Sequence, residues 1–262
     1  MKKQIALGIL GLMSLSLAGC GTRMSVYADA DKYLAGNQTY EEAITDLDID
    51  WISGSVILVE DATITGVKLE EVTDLTNEKE LVHSYLNNGK LMIKFFASGH
   101  YCTKLTGYKK ELTVTYHPGL ANVNIDITSG SLSAESITAT KVNIDMTSGS
   151  AKVNKVIAED IDIDLTSGSI EMNNITTNTF DADLTSGTIT SGFTLVNNAD
   201  YDLTSGKINL TLPIDGGSVK VSKTSGKVNT ERECIVNQNT YTFGTGAANF
   251  KVSMTSGTLN IK

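Results

Sequence analysis

Histidine, proline and tryptophan are scarce in this chain of 262 residues, with three, two and one copies respectively. His83, His100 and His117 are too few and too irregularly spaced for a zinc ligand set, and none follows residue 120, where the most regular part of the chain begins. The near-absence of proline, together with abundant Val, Ile and Thr, favours β-structure. Basic side chains are outnumbered, with 21 Lys and Arg against 30 Asp and Glu, which argues against a nucleic-acid partner. Long apolar runs are missing too. The single candidate, Ile5 to Leu17, is short and interrupted by Gly and Ser, which excludes a comfortable transmembrane helix.

What that apolar stretch does fit is an export signal. Lys2 and Lys3 precede it, and Leu17-Ala18-Gly19-Cys20 follows it, in the pattern of the lipobox of bacterial lipoprotein precursors. There the cysteine thiol receives diacylglycerol, and cleavage leaves that cysteine at the N-terminus. Residues 1–19 are therefore expected to be a lipoprotein signal peptide, Cys20 the lipidated residue, and 20–40 a flexible tether. The expected location is the outer face of the bacterial cell membrane. Loss of Lys2 and Lys3 takes the formal charge from −9 to −11, so anionic lipid would repel the mature chain and the acyl group must do the anchoring. Of the other cysteines, Cys102 and Cys234, an exported compartment permits a disulfide, and two small buried side chains are equally compatible.

Internal repetition dominates the rest. Thr-Ser-Gly begins at residues 128, 147, 166, 185, 204, 224 and 255, with four successive intervals of 19 residues, then 20, then 31. With the Thr as position zero, position −5 holds Val123, Val142, Ile161, Phe180 and Ala199. Position −3 holds Ile125, Ile144, Ile163, Ala182 and Tyr201, and position −1 holds Ile127, Met146, Leu165, Leu184 and Leu203. Between these lie Asn or Asp at −4 and an unbroken Asp column at −2: Asp126, Asp145, Asp164, Asp183 and Asp202. This period-two alternation is that of a half-buried strand. Apolar residues at +4 (Leu132, Ala151, Ile170) and near +9 (Ile137, Val156, Ile175) add a second strand and a third inward contact. One such turn cannot bury its apolar side alone, but stacked turns can.

The expected fold is thus all-β: a parallel β-helix or β-solenoid with ~19-residue rungs, a less regular N-terminal β part and a C-terminal capping rung. A single elongated domain over 41–262 is expected, with regular rungs at 121–228 and an insertion and cap at 229–262. Leu47, Ile49 and Trp51 form an earlier rung in the same frame, and Phe250, Val252 and Met254 a closing one. Asn88-Gly89 marks a hairpin.

Leu47-Asp48-Ile49-Asp50-Trp51 with Ser53-Gly54-Ser55-Val56, then Lys90-Leu91-Met92-Ile93, the Thr-Ser-Gly rungs, and Phe243-Gly244-Thr245-Gly246 together carry a resemblance. Over about 45–262 the chain resembles the bacterial putative-adhesin family of β-strand-repeat domains of unknown function. The resemblance implies a β-helical envelope protein and supplies no binding residues.

Chemistry is expected, if anywhere, on the aspartate column, with Asp50 as a sixth member whose adjacency to Asp126 the sequence leaves open. Equivalent residues in stacked rungs sit about 4.8 Å apart, where two unit charges repel by about 1 kcal/mol even in water. Such a column reads either as a solvated face that resists aggregation or as a face that binds cations, Ca2+ being the candidate, or another ligand. Catalysis has little support: Thr-Ser-Gly offers a hydroxyl with neither a G-x-S-x-G elbow nor a base in frame. Trp51 falls in an inward column, a core position rather than a sugar platform. The leading expectation is a non-enzymatic adhesin-like binding or spacer scaffold that meets an envelope polymer or surface protein. The alternatives are a β-helical carbohydrate-active enzyme and an accessory domain in envelope-stress signalling.

Overall fold

The computed structural model describes residues 22–102 and 107–262, and Cys20 and the signal segment lie outside them. Strands dominate, and no α-helix occurs among the described residues. The apolar columns all point inward: Val123, Ile127, Val142, Met146 and Ile163 are fully buried, as are Ile137, Val156 and Ile175 of the third contact. Each regular rung therefore turns its apolar columns toward one shared core, as expected of a solenoid. Aromatic rings fill its wider part, with Phe180 edge-on to Phe193 at 5.2 Å and Phe193 against Phe250 at 5.5 Å.

Nine levels stack among the described residues, and their order in space departs from their order in sequence at both ends. Asp46–Glu60 is the second level, sandwiched between Leu120–Ala134 above it and Lys90–Lys94 with Lys110–Tyr116 below. The regular array then runs upward in frame, pairing Asp126 with Asp145, Asp145 with Asp164, and so on to Asp202. At the far end Leu203 pairs with Met254, and Met254 pairs with Lys223. The chain's last rung, Ala248–Met254 with Thr258–Ile261, is thus the eighth level, and Gly216–Lys223 with Lys227–Thr230 is the ninth.

The closing rung expected at 250–261 is therefore not the outermost. After Leu212 the chain turns through Pro213 to Gly216, leaves one level open, builds the ninth, and returns to fill the gap. The insertion does the capping: Ile235–Asn237 and Thr240–Gly244 form an antiparallel hairpin laid on Gly216–Lys220. At the opposite end antiparallel strands close the first level, with His83–Asn87 on Lys90–Lys94 and Val67–Thr73 on Lys110–Tyr116. The Asn88-Gly89 hairpin forms as expected, both residues having positive φ.

Residues 22–40, expected as flexible tether, instead strap onto this first end. Thr22 and Arg23 pair with Cys102 and Tyr101, Leu34–Ala35 with residues 83–84, and Gln38–Tyr40 with residues 67–69. The Tyr27 ring packs on Tyr33 at 4.6 Å, and Tyr33 on Tyr85 at 5.5 Å. Packing of these aromatic rings is what holds a segment with few aliphatic residues. The same layout excludes a disulfide between Cys102 and Cys234. They belong to opposite ends of the stack, separated by about eight strand spacings or roughly 38 Å, far beyond what an S–S bond spans.

The corner after each Thr-Ser is held by the backbone ladder. Thr166 N donates to Met146 O (3.0 Å), Ser167 N to Thr147 O (2.9 Å) and Thr188 N to Gly168 O (2.9 Å). Glycine is required here for two reasons at once. Gly168 and Gly187 have φ of 108° and 122°, and a Cβ on Gly187 would lie 2.6 Å from the carbonyl oxygen of Gly168 one level below. Gly119 separates the two reasons, having a φ of 88° but nothing within 4 Å of its would-be Cβ. Gly168→Ala should therefore destabilise by about 2–4 kcal/mol, and Gly119→Ala by about 1 kcal/mol. Urea melts of the two variants check this; equal losses would show that stacking adds nothing to the conformational strain.

Candidate functional site

Register converts the Asp column of the sequence into a physical row. Reading up the stack at position −2, the side chains are Lys94, Asp50, Asp126, Asp145, Asp164, Asp183, Asp202, Ser253 and Ser222. Asp50 is thus a direct neighbour of Asp126, although 76 residues separate them in sequence. All five sequence-predicted residues stand in this one row. Four of them, Asp145, Asp164, Asp183 and Asp202, line an open trough of about 720 Å³ beside the corner threonines, with Lys223 near its far end.

The row is electrostatically strained in its middle and relieved at its ends. Asp126 keeps an exposed side chain, but partial desolvation by the packed levels, then the charges of Asp50 and Asp145, push its carboxyl up to about 6, against a partial opposing effect from Lys94. Burial also raises Asp145, Asp164 and Asp183, with neighbouring carboxylates adding to the shift at Asp164 and Asp183. At the lower end Lys94 bridges Asp50 at 3.3 Å and Lys90 bridges Asp48 at 2.7 Å. At the upper end Lys251 bridges Asp200 at 3.3 Å, in the adjacent −4 column. That column dilutes charge in a second way, because it holds Asn124 and Asn143, whose side chains bond each other at 2.6 Å.

A row is not a cage. Among the described residues no group of three or more His, Cys, Asp or Glu side chains converges as a metal site would require. The expectation of a Ca2+ site on this face is not supported by the geometry: stacking spaces the carboxylates in single file and gives each only its neighbours above and below. The row can instead accept several cationic or hydrogen-bond-donating groups arranged in a line. The three histidines each take a local bond, His83 with Leu81 O, His100 with Glu80 and His117 with Pro118 O.

One charged cluster escaped the sequence reading. Lys110 is fully buried and paired with Glu71, with its Nζ also donating to Glu80 O at 2.9 Å. It lies 4.8–5.3 Å from the ring centroids of Phe95, Phe96 and Trp51. Burial pulls the Lys110 ammonium below its ordinary pKa, and Glu71 offsets part of that. Trp51 is wholly buried here, the core role its column implied. A signal was present: Lys110 shares the inward parity of Leu112, Val114 and Tyr116, and Glu71 that of Val67 and Leu69. Two inward charges of opposite sign on paired strands predict a buried ion pair.

Two outcomes follow from these charges. An aspartate whose pKa is raised by folding binds its proton more tightly in the native state, so stability falls as pH rises from about 4 to about 6. Asp126→Asn should flatten that decline and stabilise the protein at pH 7–8 by about 1 kcal/mol, a figure already reduced for solvent exposure; melting temperatures between pH 4 and 8 measure it. Lys110→Met should cost about 3–5 kcal/mol by leaving Glu71 buried and unpaired, while Lys110→Met with Glu71→Leu should cost distinctly less. Chemical denaturation of both variants is the check.

Residues 44–262 match Toastrack DUF4097. No curated protein matches the chain. A putative adhesin of known structure from Bacteroides fragilis NCTC 9343 is 14% identical over 86% of this chain and 96% of its own, with a TM-score of 0.45. Another, from Parabacteroides merdae ATCC 43184, is 12% identical over 91% and 99%, also at 0.45. A putative cell adhesion protein from Clostridium sporogenes ATCC 15579 is 14% identical over 88% and 99%, at 0.39. Likenesses this distant carry no argument about activity. The family match spans most of the chain and coincides with the whole solenoid, and on that ground the chain belongs to the Toastrack DUF4097 family.

Proposed function

We propose that this protein is a non-enzymatic, lipid-anchored surface scaffold, exported and held by acylated Cys20 to the outer face of the cell membrane. Its acidic row is the contact face for an envelope polymer or surface protein that presents a line of cationic groups. The observation that carries the reading is the unbroken run of six aspartates at one position, stacked level on level, four of which line an open trough. Repulsion of about 1 kcal/mol per neighbouring pair is a standing cost. A partner with spaced positive charges would relieve it, which gives the row an electrostatic complement rather than a merely tolerated one. Among the described residues no helix is long and apolar enough to cross a membrane.

The test uses the mature chain with Cys20→Ser beside its Asp145→Asn, Asp164→Asn, Asp183→Asn triple variant, on glycan arrays and in envelope pull-downs. A ligand retained by the first, lost by the second and released by salt is the expected result. Calcium should add no thermal stability beyond that of sodium at equal ionic strength. Turnover of a polysaccharide abolished by a single Asp→Asn change would overturn the scaffold reading.

A further inference from the structure

We propose that the first end of the solenoid is itself a membrane-contact surface, so that the molecule stands on the bilayer with its long axis pointing away. This rests on the reading of Cys20 as the lipidated residue, and adds to it an orientation. The described chain begins at Thr22, and Thr22 and Arg23 are already strand residues paired with Cys102 and Tyr101. Beyond them Met24 N donates to His100 O at 2.7 Å, Gly99 N to Ser25 O at 3.2 Å, and Tyr27 N to Ser98 Oγ at 3.0 Å. Gly21 alone lies between Cys20 and this strap. Two Cα steps span about 7 Å at most, so a diacylglycerol inserted in the bilayer holds the folded end at the headgroups.

The surface near that attachment is suited to the position. Val26 on the strap is 74% exposed and Tyr101 on its partner strand 55% exposed. Leu34 and Val72, each half exposed, sit on the antiparallel strands that close the same end. Tyrosine, with an apolar ring and a polar tip, belongs at a membrane–water interface. A second exposed apolar group, Ile214, Ile235 and Val236, lies at the opposite end, about 38 Å away along eight strand spacings. A 7 Å leash cannot bring both ends to one bilayer unless the solenoid lies flat, and lying flat brings its acidic flanks toward anionic headgroups. The upright pose avoids that repulsion and leaves the trough facing sideways, clear of the lipid.

Depth-dependent quenching tests the pose. The lipidated full chain, carrying Tyr101→Trp or Ile214→Trp, is reconstituted in phosphatidylcholine–phosphatidylglycerol vesicles with or without brominated acyl chains. The unsubstituted chain, whose single tryptophan is the buried Trp51, gives the baseline. Brominated lipid should lower the added emission at 101 by about twofold or more and leave that at 214 unchanged. Val26→Trp repeats the reading on the strap should Tyr101→Trp disturb strand pairing. Equal quenching at both ends, quenching at 214 alone, or none at either 101 or 26 would overturn the orientation. Mass spectrometry of the same sample separates the two claims: a chain without acyl groups on Cys20 overturns the anchor, and an acylated chain without quenching at 101 and 26 overturns only the pose.

Discussion

Each level of this solenoid rests on the one below through a glycine whose missing β-carbon leaves room for a carbonyl oxygen. That contact fixes the register between levels, since a slip of even one residue would bring a side chain into the space. Gly206 stacks on Gly187, Gly257 on Gly206, and Gly226 on Gly257, so the same constraint holds where the chain order is interrupted. Once the corners are in register, every other column follows without further instruction. Isoleucines meet isoleucines in the core, and asparagines meet asparagines outside, as in the Asn209, Asn260 and Asn229 ladder with bonds of 2.8 Å.

The acidic row is a product of the same constraint. Register that aligns Ile125 with Ile144 necessarily aligns Asp126 with Asp145. Alternation then places like charges at strand spacing, where only solvent, protonation or an external cation can separate them. The ends show how the fold limits the expense, with Lys94 and Lys90 at one end and Lys251 at the other, while the middle is left uncompensated. That contrast singles out the middle as the part of the surface with an unmet electrostatic demand.

Much of this was legible in the sequence, because a rung of 19 residues carries its own frame. The inward columns, the corner glycines, the early rung at Leu47 and the aspartate column from 126 to 202 needed only the period and the parity of each position, whereas the place of Asp50 beside Asp126 came from the strand register. The inverted ends were not legible, since Thr224 and Thr255 both look like successors to Thr204. Which of them stacks on it depends on whether the chain at Pro213 descends one level or two, and local composition does not encode that. Residues 22–40 misled for a related reason: their ordering comes from pairing with residues 67–102 and from three stacked tyrosines, partners remote in sequence. The Lys110–Glu71 pair was readable from parity, and it is masked by the habit of treating charged residues as exposed.

The inversion of level order at both ends has a consequence for how such a protein can change length. In an ordinary solenoid the terminal rung is the last in the chain, and it can fray, be trimmed, or be extended by one more copy. Here Asp46–Glu60 and Ala248–Ile261 are each clasped between two levels, and the outermost levels are loops of the interior sequence. Neither of these two levels can peel away without first parting a level stacked outside it. Duplication or loss of a 19-residue unit is tolerable only between residues 121 and 212, where levels follow one another in order. Lineages built on this plan should vary in height through their middles while keeping both closures intact.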